Sequence, residues 1–235
     1  LSARRPSKRS ALAKALDRLE RLHGPQKSLP ASGPFELVLW ENVAYLVSDD
    51  KRARAFAELK KRVGLRPRDI LEAPPEVLYS IAAAGMKPEL RVGALREAAE
   101  TAMESFAGET DSVLSLPEKD AMRILKKFPG IGEPGAEKIL LFSRARPLFA
   151  LESNGLRVLL RLGYGREQKS YSTTYRSVRE AVAEEVTTEV DWLIRAHTLL
   201  RRHGQEICKR SAPLCESCPL SEECAFFSSR ESRSP

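Results

Sequence analysis

The stretch HGQEICKRSAPLCESCPLSEEC, His203 to Cys224, holds every cysteine of this 235-residue chain. Cys208, Cys215, Cys218 and Cys224 are spaced C-x6-C-x2-C-x5-C. Four thiolates in so short a loop can enclose a metal centre. Disulfides compete, since an even cysteine count in a small secreted chain reads as bridges. Against them, a chain this long builds its core without staples, and its basic start, LSARRPSKRSALAKAL, lacks the apolar run of an export signal. Zinc competes too, although structural zinc sites usually pair two tight knuckles and only one C-x2-C is present. The spacing alone leaves zinc and iron–sulfur open.

Working back along the chain, LKKFPGIGEPGAEKILLF runs from Leu125 to Phe142. Glycine reaches backbone conformations that other residues avoid, so Gly130 and Gly132 are both expected to depend on that freedom. The turn is expected to bring amides to a phosphate where the next helix begins. A helix N-terminus carries partial positive charge and free N–H groups, and it grips anions without reading sequence. Taken alone, PGIG also fits an ordinary turn between two core helices.

Composition narrows the partners. Lys and Arg number 39 against 32 Asp and Glu, giving +7 and a pI near 9.3. Such a balance favours a polyanion, with nucleic acid first, though a solvated basic surface also accounts for it. No apolar run approaches a membrane span. Aromatics at 6% argue against a broad base-stacking platform. Metal-type cysteines without an export signal predict a reducing cytoplasm.

Periodicity predicts short helices almost throughout. They are Pro6–His23, Phe35 to about Leu46, Lys51–Val63, Arg68–Ala84, Glu89–Phe106, Pro117–Phe128, Glu133–Arg144, Asn154–Leu162, Thr174–Val186 and Val190–His203. FELVLW is the best strand candidate, yet it runs into ENVAYLV without a turn residue, which favours a buried helix.

The cysteine loop resembles the iron–sulfur loop of the endonuclease III and adenine-mismatch glycosylase families. Leu125–Phe142 resembles their helix–hairpin–helix. The resemblance spans about residues 8–225. It implies an all-α, two-lobed fold, with a central lobe at 34–146 and a second lobe built from 8–33 and 147–225. Residues 1–7 and 226–235 are expected to be flexible tails. By the same resemblance, Cys208, Cys215, Cys218 and Cys224 hold a 4Fe–4S cluster, and hairpin carbonyls hold a monovalent cation. Gly130, Ile131, Gly132 and Gly135 are expected to grip DNA.

The resemblance also supplies the chemistry. Backbone-cleaving relatives carry a lysine two residues after the second hairpin glycine, and here Pro134 stands there. Its tertiary amide cannot form a Schiff base. Lys138, one turn on, could substitute for that lysine, though it is expected to be an exposed helix charge. FALESNGLRVLL, Phe149–Leu160, matches the segment bearing the family's essential aspartate, which places Glu152 as the anion facing the sugar. Ser153 or Asn154 is expected to cap the following helix, and Asn154 alternatively lines the base pocket. FELVLWENVAYLV, Phe35–Val47, places Glu41 as the general acid, with a buried ion pair as its other reading. Tyr45 stacks on or replaces an extruded base, or belongs to the core. Lys87 and Arg91 fall on the loop that enters the duplex, with Arg91 reaching a phosphate.

The resulting expectation is a monofunctional glycosylase acting on double-stranded DNA as a cytoplasmic, nucleoid-associated monomer. A catalytically weak or inactive lesion sensor is the alternative, and a glycosylase with lyase activity is the third reading.

Overall fold

A computed structural model describes residues 10–231, and among them every regular element is helical. Two compact units result: Ser28–Leu148, and the stretch up to Lys27 together with the stretch from Phe149. Residues 1–7, expected as a tail, lie outside the described residues.

The first helix, α1 (Ala11–His23), begins where Ser10 accepts a bond from the Ala13 amide. It belongs to the terminal unit and buries Leu12, Leu16 and Leu19. The central unit is built around α2 (Pro34–Asn42), which packs on α3 (Asp49–Arg62), α6 (Pro88–Phe106) and α8 (Glu133–Phe142). Between these run α4 (Pro67–Glu72), α5 (Pro75–Ala82) and α7 (Glu118–Leu125). Pro34 supplies the fixed φ that opens α2. Leu37, Val38, Leu39 and Trp40 are all buried, so this helix is apolar on every side and sits inside the unit. Each such side chain contributes about 1.5–3 kcal/mol on burial.

Two helix boundaries differ from expectation. The segment 68–84 is two helices, α4 and α5, because Pro74 has no N–H and its ring clashes with the preceding turn. Ala73, just before it, is extended at ψ 137. The helix from Phe35 stops at Asn42 rather than Leu46. Leu46 turns left-handed at φ 54, and the Tyr45 carbonyl accepts the Met86 amide at 2.9 Å. Gly85 permits this contact, since a Cβ there would lie 2.6 Å from the Tyr45 nitrogen.

In the terminal unit, α9 (Ser153–Leu162) and α1 pack on α11 (Val190–Glu206), with α10 (Tyr171–Val182) against α9. Of the tail expected at 226–235, residues 226–231 belong to α12 (Ala225–Glu231), where the Arg161 guanidinium lies 4.4 Å over the Phe226 ring, and residues 232–235 lie outside the described residues.

Candidate active site and nucleic-acid interface

The hairpin turn depends on one glycine rather than two. Gly130 lies at φ 72, a region that favours glycine, whereas Gly132 is extended at φ −88, ψ −170, which any residue adopts. Ile131 is buried, and its amide is bonded to the Phe128 carbonyl at 3.2 Å. A Cβ on Gly135 would lie 3.3 Å from Ile131 Cγ2, so this glycine seats the helix on the turn. The amides of Gly132, Glu133 and Gly135 meet no acceptor among the described residues and open toward solvent at the head of α8. Pro134 adds no N–H. The Glu133 carboxylate in the same turn opposes a second anion there.

Asn42, which sequence reasoning passed over, holds this turn. It is 1% exposed, and its Nδ2 donates to Pro129 O at 2.9 Å and to Val38 O at 3.0 Å. Its Oδ1 accepts from Arg91 at 3.2 Å. A polar residue closing an apolar helix was the available signal.

Glu41 leaves the preceding position of α2 toward two cations. Lys138 Nζ donates to Glu41 Oε1 at 2.6 Å, and Arg52 lies 3.6 Å from Oε2. Lys138 is therefore not the exposed helix charge expected of it; it is 8% exposed. Burial along α8 and a carboxylate to pair with explain the difference.

Beside this pair the loop after α2 meets the loop before α6. Tyr45 is 42% exposed, and Arg91 covers its ring at 5.4 Å. Arg91 is thus turned toward Tyr45 and Asn42. Leu46 and Met86 are exposed apolar tips, and Lys87 is exposed at φ 54. The resemblance already put Leu46 beside Tyr45 near the duplex-wedging positions, whereas Met86 carried no periodicity that would have singled it out.

In the terminal unit, Glu152 is itself the cap of α9, in place of Ser153 or Asn154. Its Oε1 accepts the Gly155 amide at 2.7 Å, and Oε2 accepts from Asn154 Nδ2 at 2.8 Å. Asn154 in turn accepts from Arg157, which reaches on to the carbonyls of Gly204 and Cys208. Burial lowers the Arg157 pKa despite those acceptors.

The four cysteines are free thiols around one small pocket with Arg161, Leu214 and Phe226. Arg161 donates to Cys208 Sγ at 3.3 Å, and the Leu220 amide to Cys218 Sγ at 3.4 Å. Burial raises the Cys208 thiol, against the pull of Arg161, and pushes Cys218 up to about 11. No three described His, Cys, Asp or Glu residues close on a single-ion site. Four part-buried to buried thiols lining one pocket, with donors aimed at two sulfurs, fit a thiolate-held metal group.

No family model matches the sequence. The endonuclease III of Thermotoga maritima is 22% identical over 84% of this chain and 85% of its own. The solved structure of a trapped endonuclease III–DNA covalent intermediate superposes with a TM-score of 0.71 at 21% identity, covering 93% of this chain and 96% of that one. A thermostable thymine-DNA glycosylase gives 0.71 at 14% identity, over 93% and 95%. The chain has the fold of the helix–hairpin–helix DNA glycosylases and is similar in sequence to endonuclease III over most of its length.

Pro134 lies at the head of α8 and Glu152 at the head of α9, the two positions where the resemblance leads to the expectation of a lysine and an aspartate. Lys138 with Glu41 puts a charge pair inside the central unit, as the second reading of Glu41 expected, with a partner that reading did not name. No described helix is long and apolar enough to cross a membrane.

Proposed function

We propose that this protein is a monofunctional DNA glycosylase of base excision repair. It removes a damaged or mismatched base from duplex DNA by hydrolysis, acting as a monomer in the cytoplasm. The observation that carries this reading is Pro134 at the head of α8, where a Schiff-base chemistry needs an amine.

The open amides at the head of α8 grip a backbone phosphate, and the exposed loop of Tyr45, Leu46 and Met86 enters the base stack. As the glycosidic bond breaks, positive charge grows on the sugar, and the Glu152 carboxylate stabilises it. Its length differs from aspartate by one methylene, and holding its oxygens on Gly155 and Asn154 fixes where the charge sits. Glu41, paired with Lys138, takes the proton of the attacking water as a carboxylate rather than giving one as an acid. The leaving base carries away the bonding electrons and is protonated from solvent.

Cys208, Cys215, Cys218 and Cys224 would hold a 4Fe–4S cluster. Their placement around one pocket, with Arg161 and the Leu220 amide donating to two of the sulfurs, supports a thiolate-held group. When bound, the cluster supplies a covalent clasp on the loop and a one-electron couple.

A second reading, a DNA-binding lesion sensor without chemistry, is supported by one observation. Both oxygens of Glu152 are engaged in capping α9. One panel of duplexes, each with a single lesion, separates the readings. Abasic product that needs alkali for strand cleavage supports the proposal. Strand cleavage without alkali overturns the monofunctional assignment. Tight lesion binding with no product on any duplex overturns the chemistry.

A further inference from the structure

A chain of three side chains leads from one cysteine sulfur to the surface. His203 Nε2 lies 3.4 Å from Cys218 Sγ. His203 Nδ1 lies 3.2 Å from Nε2 of His23, at the end of α1. His23 Nδ1 lies 3.3 Å from Glu206 Oε2, at the end of α11. His203 is 1% exposed, and Glu206 is half exposed. Arg202 secures the far side of the turn by donating to the His23 carbonyl at 2.6 Å. The two imidazoles meet edge to face, with centroids 5.5 Å apart.

Imidazole nitrogens buried beside a sulfur need partners, because unmatched polar atoms in such a place are costly. We infer that His203 is a tuning residue for a thiolate-bound cluster, donating its Nε2–H to the Cys218 sulfur, and that His23 and Glu206 lock it in that orientation.

The assignment follows from counting protons. A thiolate that ligates metal carries none, so the contact at Cys218 has to be donated by His203. A neutral imidazole has one N–H, so its Nδ1 then accepts, and His23 Nε2 is the donor. His23 then meets the Glu206 carboxylate with its other nitrogen, which has to be protonated to bond. As an imidazolium, His23 donates to both neighbours, to Glu206 on one side and to His203 on the other, and His203 in turn donates to Cys218. Burial opposes that charge and lowers the His23 pKa, and the Glu206 carboxylate works against the burial. The negative charge of four ligating thiolates favours the imidazolium further. Other groups nearby act on the same chain. Arg202 also pairs with Glu206, and the Leu220 amide shares Cys218 Sγ. Arg161 serves Cys208 instead. Cys218 is thus the cysteine that collects an imidazole donor in addition to a backbone amide.

Hydrogen bonds to ligating sulfurs withdraw electron density and raise a cluster's reduction potential. This inference rests on the iron–sulfur reading above. It adds that α1, far from the cysteines in sequence, sets the redox poise of their cluster.

The experiment is voltammetry on iron-loaded full-length protein, with iron content measured on the same samples. His203→Leu should shift the potential downward at full iron content. His203→Gln, whose amide N–H can replace the donor, should recover most of that shift. His23→Leu touches no cysteine, and it should move the potential in the same direction by a smaller step. It also decides the matter if His203→Leu fails to load iron. Full iron with an unchanged potential in His23→Leu and His203→Leu overturns the inference alone. Wild-type protein that takes up zinc and no iron overturns it together with the cluster reading.

Discussion

Lys138 and Glu41 form a part-buried ion pair, Nζ to Oε1 at 2.6 Å, between α8 and α2. They stand 97 positions apart in sequence. The pair joins the helix that follows the hairpin to the helix that carries the proposed water-activating carboxylate.

Lys138→Met should therefore cost stability, because it strips a partner from a carboxylate that is only 27% exposed. Complete burial would set the loss at about 3–5 kcal/mol. With Arg52 still nearby, about 1–3 kcal/mol is expected from denaturant midpoints. Glu41→Gln leaves the more buried Lys138 without its counter-charge, so it should also cost about 1–3 kcal/mol, and it should lose about a hundred- to ten-thousandfold in base excision. Full excision by Glu41→Gln would remove this residue from the mechanism.

The two hairpin glycines should behave differently. Gly130→Ala forces a side chain into φ 72, with its Cβ 3.2 Å from Asn42 Oδ1, so it should destabilise the fold and weaken binding to every duplex alike. Gly132→Ala has a tolerant backbone and room for a Cβ, so the fold should persist. A larger loss of melting temperature from Gly132→Ala than from Gly130→Ala would contradict this geometry. Binding by the wild type should weaken steeply as salt rises.

Glu152 has two separable tasks. Glu152→Ala should lose about 0.5–2 kcal/mol as a cap substitution. Glu152→Gln keeps an acceptor for the Gly155 amide but removes the charge, so it should fold normally and lose excision while retaining DNA affinity. Wild-type activity in Glu152→Gln, measured as abasic product, would show that the cap is its whole role.

Borohydride should trap no covalent adduct with DNA, since Pro134 offers no amine and Lys138 is held in its ion pair. Trapping that survives in wild type and disappears in Lys138→Met would falsify the hydrolytic mechanism and make Lys138 the nucleophile.

Purified protein should be yellow-brown with four irons per chain, as a 4Fe–4S centre requires. Cys215→Ser should lose colour and much of its DNA affinity, because the loop would lose its clasp. Stripping iron from the wild type with a chelator should reproduce that loss, which a gel-shift titration measures.

The cysteine loop and the PGIG turn were legible because each concentrates its information locally. Spacing alone places four sulfurs in one loop, and glycine and proline punctuate a chain through their own backbone limits. The all-helical class followed for the same reason, from apolar periodicity within short windows. Helix ends were less readable: Pro74 divides α4 from α5 by a local rule that the apolar pattern masked. The early end of α2 rests on contact with Gly85, outside any local window.

The amino-acid sequence by itself determined the helical class, the metal-type loop, the hairpin and the missing lysine, because each depends on neighbours in the chain. Tertiary structure alone decided what the charges do. Glu41 and Glu152 read as the same residue type in motif-like settings, yet one is ion-paired with Lys138 and the other caps a helix. Asn42 holding Pro129, and His23 reaching His203, join residues far apart in the chain. A side chain's partners are set by which surfaces fold together, and burial then makes those partners obligatory, because an unmatched charge or hydrogen-bonding group in the interior costs too much to leave alone.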